Sequence, residues 1–254
     1  MPQIAAAGRS LEYSFIEGTH AAHPTLVFLH EGLGSIRQWR DFPAKVAKAT
    51  GCRALVYDRY GYGNSDVLAE DRVGVDFMHQ GALKFLPEIL SKLKIENPIL
   101  VGHSDGASIA LIHAGAGRPV RGVAVMAPHV FIEEICVNSI AKAAKQFETT
   151  DLPRRLGKYH RDARKTFHLW ADAWLDPAFR QWNIESILPG IRCPVLAIQG
   201  EEDEYGTMAQ LEAIQRQVSG TCELLMLPDC GHSPHKDQPE KVLRAVVGFI
   251  KRFL

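Results

Sequence analysis

A chain of 254 residues is long enough for one large domain, or for a core that carries one sizeable insertion, and it needs no disulfide or metal staple. Its 29 Lys and Arg balance 29 Asp and Glu, which excludes the global basic field of a protein held on nucleic acid or anionic membrane. With 46% hydrophobic and 23% charged residues it is neither disordered nor a disulfide scaffold, and a soluble enzyme is expected.

The first ten residues lack a basic stretch followed by an apolar one, and no run approaches 18 apolar residues. No leader or membrane span is therefore expected, and the cytoplasm is the default location. Residues 11–16 read as an antiparallel edge strand. Short apolar runs at 26–29, 54–57, 99–101, 123–126, 195–198 and 224–227 read as buried strands. Helical spacing appears at 75–93, 208–218 and 239–254, with a short buried piece at 108–113, and Ser35-x-x-Gln38 fits a capping box that opens a helix over 36–48. This alternation predicts an α/β fold with a mainly parallel sheet and helices on both faces. The rhythm breaks once, in an insertion with no convincing strand. Leu152, Leu156, Tyr159, Ala163, Phe167, Trp170 and Trp174 recur there at three or four residues, predicting one apolar helical face. Arg154, Arg155, Lys158, Arg161, Arg164 and Lys165 fall mostly on the other faces and read as a solvated surface. The five scattered cysteines show no metal or redox spacing and read as idle thiols.

The strongest chemical signal is Gly102-His103-Ser104-Asp105-Gly106, a G-x-S-x-G turn directly between a strand and a helix. That context strains the serine backbone and exposes its hydroxyl. A serine hydroxyl is a weak nucleophile at neutral pH, so the chemistry requires a histidine base and a carboxylate to orient it, in the order Ser, Asp or Glu, His. Gly200-Glu201-Glu202-Asp203-Glu204 follows one strand, and Gly231-His232-Ser233-Pro234-His235 follows the next. Both sit just past strand C-termini, where open α/β sheets place their crevice.

The chain resembles the α/β-hydrolase family of serine hydrolases over nearly its whole length. The ordered matches are His30-Glu31-Gly32-Leu33-Gly34-Ser35, Asp58-Arg59-Tyr60-Gly61-Tyr62-Gly63-Asn64-Ser65, the Ser104 elbow, the G-x-x-D loop ending at Asp203, and Gly231-His232 before Gln238-Pro239-Glu240. The resemblance implies an α/β-hydrolase core over 1–128 and 189–254, with a helical lid over 129–188 inserted after the sixth strand. It makes Ser104 the nucleophile, His232 the base and then acid, and Asp203 the residue that orients His232. Glu201, Glu202 and Glu204 crowd Asp203, and His235 is a rival base without the preceding glycine. Backbone N–H groups of Gly32 and Asp105 are the implied oxyanion hole, with Leu33 the alternative to Gly32. Glu31 stands where the family usually has glycine; its carboxylate must turn away, pair with a cation, or meet a polar part of the substrate. His103 and His30 read as structural. Glu31, His129, Trp170, Trp174 and Trp182 are candidate pocket residues, and for Phe167, Trp170 and Trp174 helical spacing favours packing within the lid. The lid aromatics, from Tyr159 to Trp174-Leu175-Asp176, are loosely similar to valacyclovir-hydrolase-like and meta-cleavage-type members.

The expected function is hydrolysis of a small carboxylic ester with water as co-substrate, without metal, cofactor, nucleic acid or membrane span. A thioesterase, a hydrolase of C–C bonds on the same residues, and a slow-turnover ligand sensor are the alternatives.

Overall fold

A computed structural model describes all residues, 1–254. Eight strands form one sheet: β1 (Gln3–Ala6), β2 (Arg9–Ile16), β3 (Leu26–Leu29), β4 (Ala54–Tyr57), β5 (Ile99–His103), β6 (Gly122–Met126), β7 (Val195–Gly200) and β8 (Cys222–Leu227). The helices are α1 (Phe42–Thr50), α2 (Phe77–Gln80), α3 (Leu86–Lys92), α4 (Asp105–Gly115), α5 (Glu134–Thr149), α6 (Leu152–Leu156), α7 (Ala163–Leu175), α8 (Ala209–Gln217), α9 (Pro234–Asp237) and α10 (Pro239–Lys251).

Strand order is β1-β2-β4-β3-β5-β6-β7-β8, with β1 and β2 antiparallel to their neighbours and the rest parallel. The sheet is covered on both faces because its strands alternate two apolar sets. Val27, Leu29, Leu55 and Leu100 belong to one core with α4 and the insertion, whereas Leu26, Phe28, Val56, Ile99 and Val101 pack with α1 and α10. From β3 the chain moves outward to β4, then returns to β5 on the other side of β3. That reversal opens a crevice at the C-terminal ends of β3 and β5, the position where doubly wound sheets bind ligands. No helix is long and apolar enough to cross a membrane.

Several local expectations change. Strand 11–16 is not the edge: β1 covers it, joined through Ala7 and Gly8, both at positive φ (50° and 76°). The helix expected over 36–48 is broken into a 3-10 turn, Ile36–Trp39, and α1, separated by Arg40 at φ 53°. Ser35 makes no side-chain cap. Asp58 takes that role, its carboxylate accepting from Ile36 N at 2.6 Å, and Pro43 suits the first turn of a restarted helix. Segment 75–93 is helical but contains a π turn, Gly81–Phe85, between α2 and α3. The short buried piece at 108–113 lies inside the longer α4.

The apolar face at 152–174 is split between α6 and α7. Asp162 starts α7 by accepting from Lys165 N at 2.9 Å, a side-chain N-cap that ends the preceding loop. Helix α5, which had no bounds of its own within the expected helical lid, packs on α7 through stacked Phe147 and Phe167, whose ring centroids lie 3.9 Å apart. Arg154, Arg155, Lys158, Arg161 and Arg164 are exposed.

Candidate active site

Ser104 leaves β5 at φ 52°, a left-handed conformation that costs a non-glycine residue of order 1–3 kcal/mol. The turn is held by its neighbours. Ser104 N donates to Met126 O at 2.9 Å, and Ser104 O accepts from Ala107 N and Ser108 N. A methyl group at Gly106 would lie 2.0 Å from Leu29 O, so only glycine lets α4 start this close to the end of β3. Gly106→Ala is expected to cost about 3 kcal/mol, at the upper end for overpacking because backbone cannot yield as a side chain does; the midpoint of urea unfolding checks this.

The loops after β7 and β8 bring the other two residues to Ser104. Its hydroxyl lies 2.9 Å from His232 Nε2, and His232 Nδ1 lies 2.8 Å from Asp203 Oδ1. The second contact assigns the Nδ1 proton, so Nε2 accepts from the serine. Asp203 also accepts from Tyr205 N at 2.9 Å and from Gln199 Nε2 at 3.3 Å. Burial alone would raise the Asp203 carboxyl, but His232 and the Tyr205 amide hold it below its ordinary range. Glu201 and Glu202 are exposed, and Glu204 reaches the backbone of His232 rather than its ring.

The N–H groups of Gly32 and Leu33 donate to no acceptor within the protein, and Asp105, as the first residue of α4, has no intrahelical acceptor for its N–H. His160 donates through Nε2 to Leu33 O and accepts through Nδ1 from Gly63 N, both at 3.0 Å, so the insertion is tied to the loop after β3.

Glu31 turns away from these open N–H groups. Its carboxylate meets Lys236 Nζ at 3.1 Å and His103 Nδ1 at 3.5 Å. Burial would raise its carboxyl, but His103 and Lys236 outweigh that cost and hold it well below the usual range. His103 Nε2 in turn donates to His232 O at 2.7 Å. The residue that departs from the family pattern thus braces the His232 loop. Glu31→Gln is expected to lower thermal stability by about 1–2 kcal/mol, as the Lys236 charge loses its partner; an unchanged melting midpoint would refute this.

His129 packs beside the His232 ring, with centroids 5.8 Å apart, and against Trp174 at 5.1 Å. Burial pushes it down to about 3, so it stands neutral at pH 7. Trp170 covers Gly32: a methyl there would meet its Nε1 at 2.2 Å. Trp182 is different. It stacks on Phe179 and meets the ring of His79. His235 is displaced, its ring set between Trp39 and Phe42 with neither nitrogen bonded.

Sequence reasoning passed over Tyr205, Gln199, His160 and Arg59. Tyr205 sits two residues past Asp203, with its ring 4.6 Å from that of His232. Arg59 lies inside the quoted turn after β4, where its NH2 donates to Glu31 O at 2.8 Å and meets Asp105 Oδ2 at 3.3 Å. Its position there was the available signal.

The sequence profile described as "Alpha/beta hydrolase family" matches residues 26–245. The chain belongs to the alpha/beta hydrolase family. It is 26% identical over 250 residues to 3-oxoadipate enol-lactonase 1 of Acinetobacter baylyi, covering 90% of this chain and 89% of that one. A proline iminopeptidase of Lactobacillus delbrueckii subsp. lactis is 30% identical over 111 residues, 44% of this chain; the match spans only 37% of that protein's length. The esterase of Exiguobacterium antarcticum has the same fold, with a TM-score of 0.77 at 21% identity over 98% of each chain. Family and relatives together support a hydrolase.

Proposed function

We propose that this hydrolase cleaves a small carboxylic ester through an acyl-enzyme on Ser104. What supports the reading is the unbroken line from Ser104 Oγ through His232 to Asp203, at 2.9 and 2.8 Å, beside unused backbone donors. The hydroxyl passes its proton to His232 Nε2 as Oγ attacks the ester carbonyl. Asp203 stays ionised and stabilises the resulting imidazolium. The N–H of Asp105 and that of Gly32, with Leu33 the alternative, stabilise the oxyanion, an effect of about 2.7–4 kcal/mol per donor in measured systems. His232 then protonates the leaving alcohol, and a water deprotonated by the same nitrogen releases the acid. The insertion over 129–188 serves as the lid, with Trp170 and Trp174 on the face of α7 toward the site.

The identity to an enol-lactonase over most of the chain favours an ester, open or cyclic, over an amide. The iminopeptidase match, confined to less than half of the chain, makes amide cleavage the second reading. A panel of matched p-nitrophenyl esters, thioesters and p-nitroanilides separates them. Turnover of the esters ahead of the anilides supports the proposal. Anilide turnover that survives where the esters fail contradicts it.

A further inference from the structure

A cavity of ≈ 270 Å³ opens beside the site, between the turn after β4, helix α2 and helix α7. Two of its walls, Arg59 and Trp170, are shared with the crevice at Ser104: Arg59 bonds Glu31 O and Asp105, and Trp170 lies on Gly32. The guanidinium is nine-tenths buried, yet only its NH2 is engaged by hydrogen bonds. Its Nε is buried with no acceptor, and NH1 bonds nothing in the chain. Arginine carries five N–H donors, and a buried guanidinium left with idle ones is costly. Four cations, Arg9, Arg59, Arg72 and Lys84, line the cavity with Glu70 and Asp76, and Asp105 and Asp176 pair with two of them from outside that lining. Arg9 is paired with Glu70, Arg59 with Asp105 and Arg72 with Asp176, whereas Lys84 has no ion pair. The rest of the wall is largely apolar, with Tyr60, Phe77, Phe85, Leu169 and Trp170.

We infer that this cavity is an acid-binding subsite: it takes a carboxylate on NH1 of Arg59 and an apolar or aryl body against Phe77, Phe85 and Trp170. An oxyanion matches what is missing, an acceptor for the idle NH1 of a largely buried guanidinium. Because Arg59 and Trp170 also face the nucleophile's side, the bound acid is the anionic end of the substrate. That last step rests on the Ser104 reading; binding of the acid does not.

The test has a binding arm and a kinetic arm. Ser104→Ala protein is titrated calorimetrically with 4-phenylbutyrate and with its uncharged amide. The acid should bind about tenfold or more tightly than the amide, the worth of a hydrogen bond to charge. Arg59→Gln should erase that preference. Because Arg59 also holds the loop after β3, Ala173→Leu, which fills the cavity and leaves Arg59 in place, is the second variant, and it should abolish binding of the acid. In the kinetic arm, kcat/KM for p-nitrophenyl hydrogen glutarate is compared with that of its methyl ester. The half-acid should be preferred about tenfold, and Ala173→Leu should remove the preference. Equal affinity for acid and amide, or acid binding undiminished in folded Ala173→Leu, overturns the inference. Tight binding of the acid with no turnover of either ester would uphold the subsite and sink the Ser104 reading instead.

Discussion

Ser104→Ala is expected to reduce turnover of p-nitrophenyl esters by about 10⁶-fold, with the fold and the melting temperature retained. Losses of this size follow removal of the nucleophile when three groups act as a unit, so His232→Ala should cost nearly as much, and the double variant little more. Asp203→Asn should cost about 10⁴-fold, because an amide no longer selects the tautomer that leaves Nε2 free to accept. In this chain Tyr205 N donates to Asp203 Oδ1, and that bond survives on the asparagine oxygen, so the side chain should stay in place. Steady-state kinetics on purified variants, with circular dichroism as the control, measures all four. Additive losses in the double variant would mean that Ser104 and His232 do not work together.

The second large effect is acid sensitivity. Burial pushes His129 down to about 3 and His235 down to about 2. In the unfolded chain both take a proton near pH 6.5. Between those values the unfolded state binds more protons than the native one, so stability falls as pH falls. At pH 5 each residue costs about 2 kcal/mol relative to pH 8, and the pair about 4 kcal/mol. His30, His113 and His160, also lowered by burial, act in the same direction. Asp58 opposes them. Burial raises it to about 6, and its uptake of a proton in the native state returns about 1 kcal/mol at pH 5. Urea unfolding at pH 8 and pH 5 should therefore show a clear drop in midpoint, and His235→Leu should remove about 2 kcal/mol of it. Its ring sits in an apolar pocket with both nitrogens unbonded, so the substitution should cost little at pH 8. A midpoint that does not move between the two pH values contradicts the account.

Much of this arrangement was legible in the residues because the chemistry is local. The elbow, the acid loop and the histidine loop each announce themselves through glycine and a neighbouring strand, and parallel strands bring their C-terminal loops to one side. What could not be read depends on contacts distant in sequence. Asp58 displaces Ser35 as the cap of Ile36 from 22 residues away. Glu31 finds Lys236 from 205 residues away, so its three possible roles stayed open. The period of 152–174 carried no sign that α6 and α7 are separate, since a break that keeps the apolar face in phase leaves the spacing intact. Trp182 is a further case: the sequence offered it for the pocket, and its ring contacts to Phe179 and His79 could not be read from spacing.

The central claim is that Ser104 forms a covalent bond to the acyl group, and a phosphonylating probe tests it most directly. Native protein treated with a fluorophosphonate should gain the mass of one adduct, mapped to Ser104 after digestion, and Ser104→Ala and His232→Ala should gain none. An adduct on another residue, or none on native protein that turns over esters, would contradict it.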